Sequence, residues 1–175
     1  MSTPRENYAL LSDLRTGPLV SRHGSIDWLC VPRFKIRSFT QTYDNEEVDA
    51  SLLQLPHTGF VEYDDPRMPA TVAKIERDLK GDAGLLHRYR TGSGLDGLTG
   101  AEYPFLICSF RLIEQYTRSG RTGDARSLTA RLVGLANDLG LLSEEHDPPT
   151  NRLTGNVPQA FSHLGLIRAA DGLRG

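Results

Sequence analysis

Four consecutive residues within "GLLSEEHDPP", namely Glu144, Glu145, His146 and Asp147, put carboxylates and an imidazole where one helical pattern stops and the next has not begun. A turn between helices needs no such cluster. Two readings fit the residue types: a solvated acidic turn, or a loop that presents a carboxylate as a general base. Hydrolysis of a glycosidic bond uses two carboxyl groups, one protonated and one ionised, on either side of the scissile oxygen. Glu144 is the candidate for the ionised partner. Leu139, Leu141 and Leu142 just before it would anchor its backbone, and Glu145 would tune it by like-charge repulsion.

Other chemistries have less support. His146 and Asp147 lack further ligands at helical spacing, and His57, His87 and His163 stand singly, so no metal set can be read. His23, Ser25 and Asp27 have the types of a nucleophilic triad, but they alternate along one short turn and strand and cannot form the relay. The Gly-rich stretch 92–100 lacks the Gly-Lys-Ser/Thr ending of a phosphate cradle, and no GxGxxG follows a strand. No cofactor and no metal is therefore expected.

The elements that must position Glu144 are mostly helical. Residues 17–31, "GPLVSRHGSIDWLCV", predict a β-hairpin turning at His23-Gly24, the only convincing strand pair in the chain. From Asp49 the period becomes helical. Asp49 caps "DASLLQLP", and "DPRMPATVAKIERDLKG" starts at Asp65-Pro66, carries Val72, Ile75 and Leu79 on one face and closes at Gly81. "GLLHRYR" reads as a short extended piece. "EYPFLICSFRLIEQYTRSG" places Phe105, Leu106, Ser109, Leu112, Ile113 and Tyr116 on one side and stops at Gly120. "DARSLTARLVGLANDLG" repeats Leu128, Leu132, Leu135 and Leu139 up to Gly140, and "PQAFSHLGLIRAADG" begins at Pro158 with Phe161, Leu164 and Ile167 as its apolar stripe.

Composition limits the partners. The 175 residues are 38% hydrophobic and 24% charged, ordinary for one domain with a real core. Twenty basic against 22 acidic residues, for a net charge of −2, leave no basic stripe, so nucleic acid is not an expected partner. The apolar run "PFLICSF" is far too short to cross a bilayer, and "MSTPRENYALLSDLR" has neither the n-region nor the h-region of a signal peptide. The expectation is a cytoplasmic protein without membrane contact. Cys30 and Cys108, with no CxxC spacing, are expected as buried free thiols.

Two long motifs go further. "RHGSIDWLCVPRF" and "SEEHDP…GNVPQAFSH", with the stretches 8–34, 38–79 and 84–167 around them, resemble bacterial members of glycoside hydrolase family 15, the glucoamylase-like and trehalase-like enzymes, and most strongly the trehalase-type branch. The resemblance implies a mainly α fold: part of an α/α toroid of six helical hairpins, preceded by a short β-hairpin left from an N-terminal β-sandwich. It assigns residues 1–35 to the sandwich remnant and 36–175 to the C-terminal part of the toroid, as though the middle of the chain were missing. It implies inverting hydrolysis of α-glucosidic bonds in trehalose or short α-glucans, with Glu144, first glutamate of "SEE", as the general base. The general acid, which the family takes from a central helical region, has no counterpart here. Two positions depart from the pattern: Arg111 stands where Trp is usual and Val157 where Phe is usual, and a large aromatic lost from a core costs about 3–5 kcal/mol. The competing expectation is a non-catalytic remnant or helical interaction module that self-associates through exposed apolar surface.

Overall fold

In the computed structural model Tyr8–Leu10, Pro18–Ser21 and Ile26–Leu29 are described as strands, and residues 38–41, 46–90 and 102–174 are described throughout. The three strands β1 (Tyr8–Leu10), β2 (Pro18–Ser21) and β3 (Ile26–Leu29) form one antiparallel sheet in the order β1-β2-β3. The expected hairpin is the β2–β3 pair, with Leu19 opposite Trp28 and an irregularity between Leu19 and Val20. Its turn at His23-Gly24, Ser25 and Cys30 lie outside the described residues. Strand β1, which the sequence reading did not include, pairs Ala9 with Val20 and adds the third strand that a lone hairpin needs for stability.

Asp49 opens a 3-10 helix over Ala50–Gln54, its carboxylate accepting the Ser51 N–H at 2.6 Å. Helix α1 spans Arg67–Leu79, and Asp65 accepts the Arg67 N–H at 3.0 Å at its start. Lys80 ends this helix by turning extended and bridging to Leu86, so no left-handed Gly81 closes it. Helix α2, Leu106–Arg118, is the centre of the helical part: it packs against both α3 (Thr122–Val133) and α4 (Ala160–Arg174), and α3 also meets α4. Leu106, Phe110, Leu112, Ile113 and Tyr116 are all buried, as are Ile75 of α1 and Leu132 of α3. Each such side chain contributes about 1.5–3 kcal/mol of burial.

Polar residues on these buried faces are paired. Ser109 accepts the Leu86 N–H at 2.9 Å, Thr71 accepts the Phe39 N–H at 2.9 Å, and the Gln115 amide donates to the Leu53 carbonyl at 2.6 Å. The Ser109 and Gln115 bonds tie Leu86 and Leu53 onto α2, and the Thr71 bond ties Phe39 to α1.

Two helical expectations are corrected. Helix α3 ends at Val133 rather than running to Gly140, because Asn137 accepts the N–H groups of Leu139 and Leu141 at 3.0 and 2.9 Å and folds "LANDLG" into a turn. Leu139 is consequently 76% exposed and anchors nothing, whereas Leu142 is fully buried. On α4 the stripe is reversed: Phe161, Leu164 and Ile167 are 63%, 54% and 55% exposed, and the buried positions are Ser162, Gly165 and Ala169. Small residues at that spacing let α4 approach α2 closely, and a Cβ on Gly165 would lie 2.8 Å from Phe110 Cβ. Close backbone approach decided which face turned inward, against the apolar periodicity.

Candidate active site

Glu144 sits in a bend, as expected of a loop residue, but a ladder begins at the next residue. Strand β4, Glu145–Asp147, pairs antiparallel with β5, Arg152–Thr154, with His146 opposite Leu153. This second sheet corrects the expectation of a single strand pair. Its turn is closed by Asn151 at φ +51°, a conformation that asparagine tolerates better than most residues. On the other edge Phe105 bridges Glu145, the His146 N–H donates to the Pro104 carbonyl at 3.1 Å, and the Leu106 N–H donates to the Glu144 carbonyl at 2.9 Å. The Glu144 backbone thereby satisfies one of the open N–H groups at the start of α2.

The approach to Glu144 is held from α4. The Leu142 N–H donates to His163 Nε2 at 3.2 Å, the Gln159 N–H donates to the Leu142 carbonyl at 2.9 Å, and the Ser162 hydroxyl donates to the Ser143 carbonyl at 2.7 Å. Ser143 in turn donates its hydroxyl to the Glu145 carbonyl at 2.5 Å. Of the three leucines expected to anchor Glu144, only Leu142 is fully buried, and hydrogen bonds to α4 supply the rest of the support. The partly buried Glu144 side chain accepts from Asn156 twice on Oε2, from the backbone N–H at 3.1 Å and from the side-chain amide at 2.9 Å.

The neighbours differ in character. Burial, with the nearby carboxylates of Glu102 and Glu144, pushes the Glu145 carboxyl above the usual carboxylate range. Tyr89 donates its hydroxyl to Glu102 at 3.1 Å. His146 and Asp147 are buried on β4: His146 Nε2 lies 3.2 Å from Asn151 Oδ1, and Asp147 accepts the Thr150 hydroxyl. His146 Nδ1, Asp147 Oδ1 and Thr154 Oγ1 have no partner among the described residues. Among those residues no three of His, Cys, Asp and Glu converge as a metal ion would need.

The structure thus brings Glu144 and Glu145 together with Glu102, buries His146 and Asp147 beside them, and gives His163 a structural bond. His57 lies apart on the surface with both ring nitrogens 3.0 Å from the Arg168 guanidinium. Cys108 is a free, buried thiol, pushed up to about 12 by burial and so unreactive as a nucleophile. The departures at Arg111 and Val157 remove no core: Arg111 is only partly buried at the flank of α2, and Val157 is 46% exposed. Sequence reasoning missed Gly155, Asn156 and Ser162. The signal was slight: "GN" directly after the three-residue β5 marks a turn and nothing more.

The fold is shared with solved glycosidases. A wild-type glycosidase superposes with a TM-score of 0.69 at 22% identity, over 82% of this chain and 40% of that one. A glutamate-to-alanine variant of a glycosidase, in complex with glucose, gives 0.68 over the same shares. The model for glycosyl hydrolases family 15 matches residues 26–171, and the chain belongs to that family. The trehalase of Mycobacterium tuberculosis is 47% identical over 131 residues, 75% of this chain and 19% of the relative. That of Thermoplasma acidophilum is 45% identical over 133 residues, 76% of this chain and 22% of the relative. Trehalase 1 of Sulfolobus acidocaldarius is 33% identical over 149 residues, 85% of this chain and 26% of the relative. The chain therefore spans about a fifth to a quarter of the length of these relatives.

Proposed function

We propose that this chain carries the general-base half of a trehalase-type α-glucosidase site, with Glu144 as the base. The observation that carries this reading is the anchoring of Glu144: its backbone is locked into a ladder between residues 104–106 and β5, and its carboxylate is held from one side by Asn156. A carboxylate fixed in this way can take a proton from a water that attacks the anomeric carbon, while an acid on the opposite face protonates the departing oxygen. The net change is hydrolysis of one C–O bond with inversion. In trehalose, the departing glucose leaves with the glycosidic oxygen, and the attacked glucose receives the hydroxyl of water.

The acid belongs to the central helical region that lies, in the family, between the parts represented here by residues 1–35 and 36–175. The first part is a remnant of the N-terminal sandwich and the second the C-terminal part of the toroid. Unpaired buried atoms on His146, Asp147 and Thr154 support an incomplete site, since buried polar groups are ordinarily paired. No described helix is long and apolar enough to cross a membrane.

Substrate choice separates the two halves of the mechanism. Trehalose needs its leaving oxygen protonated, help worth roughly 10²–10⁴ in rate, whereas fluoride leaves α-glucosyl fluoride without a proton. The chain is expected to be silent on trehalose and to release fluoride from α-glucosyl fluoride, and Glu144→Gln is expected to remove that release. Hydrolysis of trehalose that depends on Glu144 would mean that the acid lies within these residues. A second reading, association through α4, is favoured by the exposure of Phe161, Leu164 and Ile167 on one helix.

A further inference from the structure

We infer that Asn156 is the positioning residue of the Glu144 carboxylate and that Gly155 provides the clearance for it; the inference rests on the reading of Glu144 as base. Both Asn156 donors reach the same oxygen, Oε2, at 3.1 and 2.9 Å, and the Glu144 N–H donates back to the Asn156 carbonyl at 2.9 Å. Two donors on one oxygen and a reciprocal backbone bond fix the side-chain torsions, and they make the two carboxylate oxygens unequal. Oε2 is engaged by the protein, and among the described residues nothing donates to Oε1. Oε1 is thereby left for the attacking water.

Gly155 is required twice at this point. Its φ of +71° is strained for any residue with a side chain, and a Cβ there would lie 2.9 Å from Glu144 Cβ and 3.0 Å from Oε2. The turn residue therefore leaves the volume that Glu144 fills, and the next residue clamps it. An aspartate at 156 would set carboxylate against carboxylate. An alanine would keep the backbone bond and lose the amide.

The arrangement lies wholly between Glu144 and Asn156, so the intact chain can test it by amide NMR across an acid titration. The backbone and side-chain amide signals of Asn156 are expected to move together with one inflection, and Glu144→Gln is expected to flatten both while the rest of the spectrum keeps its dispersion. On α-glucosyl fluoride, Asn156→Ala is expected to lower kcat roughly 10–100-fold with KM little changed, the signature of a misplaced group. Asn156 signals that stay flat in the wild type, or keep their inflection in Glu144→Gln, overturn the positioning role alone. Asn156 signals that follow Glu144 while fluoride release ignores Glu144→Gln overturn the base reading, and with it the catalytic purpose of the pair.

Discussion

Glu144 and Glu145 are adjacent in sequence yet sit in different surroundings: Glu144 lies in the bend just before β4, and Glu145 is the first residue of that strand. Glu144 accepts two hydrogen bonds on one oxygen, while Glu145 faces burial and two further carboxylates that disfavour its charged form. The sign of the pH effect follows. A carboxyl raised in the folded state adds stability that is fully present below its unfolded value, about pH 4, and is lost as pH rises through the folded value. Glu145→Gln removes that loss. Urea midpoints should therefore favour the variant over the wild type more at pH 7 than at pH 4, and an advantage that is equal at both would refute the assignment. The types and order of residues in "SEEHDP" pointed to Glu144, but the clamp was not legible. Asn156 acts through a turn whose geometry depends on the pairing of β4 with β5.

At the scale of elements, the sequence showed where helices begin more clearly than which face they bury. Asp49 and Asp65 open their elements as their side-chain chemistry suggests. Periodicity failed where another interaction outweighed it: Asn137 stops α3 by bonding two backbone N–H groups, and small residues bring α4 against α2 at a distance that large ones could not reach. Gly165 measures that distance. Alanine is favoured over glycine within a helix by about 1 kcal/mol, but a Cβ here would stand 2.8 Å from Phe110 Cβ and 2.9 Å from Ile107 Cδ1, and overpacking costs about 1–3 kcal/mol. Gly165→Ala is expected to lower stability by roughly 1–2 kcal/mol in chemical denaturation. A gain in stability would mean that α4 packs less closely than described. The two-stranded ladder escaped notice because strands of three residues carry almost no periodic signal.

For the molecule as a whole, the inward turn of small residues on α4 leaves Phe161, Leu164 and Ile167 facing outward together. The second reading proposed above makes this face an interface between two copies of the chain. Sedimentation of the wild type should show mass rising with concentration, and Phe161→Ser with Ile167→Ser should hold the chain monomeric with its helical content retained. A wild type that stays monomeric at high concentration would count against this face as an interface. The chain belongs to family 15 and spans about a fifth to a quarter of its relatives' length, and the proposal at stake is that Glu144 acts as a general base. Its most direct test is proton NMR of the glucose formed from α-glucosyl fluoride by the intact chain and by Glu144→Gln. The account predicts β-glucose as the first product, with a rate roughly 10²–10⁴-fold lower in the variant. First-formed α-glucose, or release at the spontaneous rate from wild type and variant alike, would contradict it.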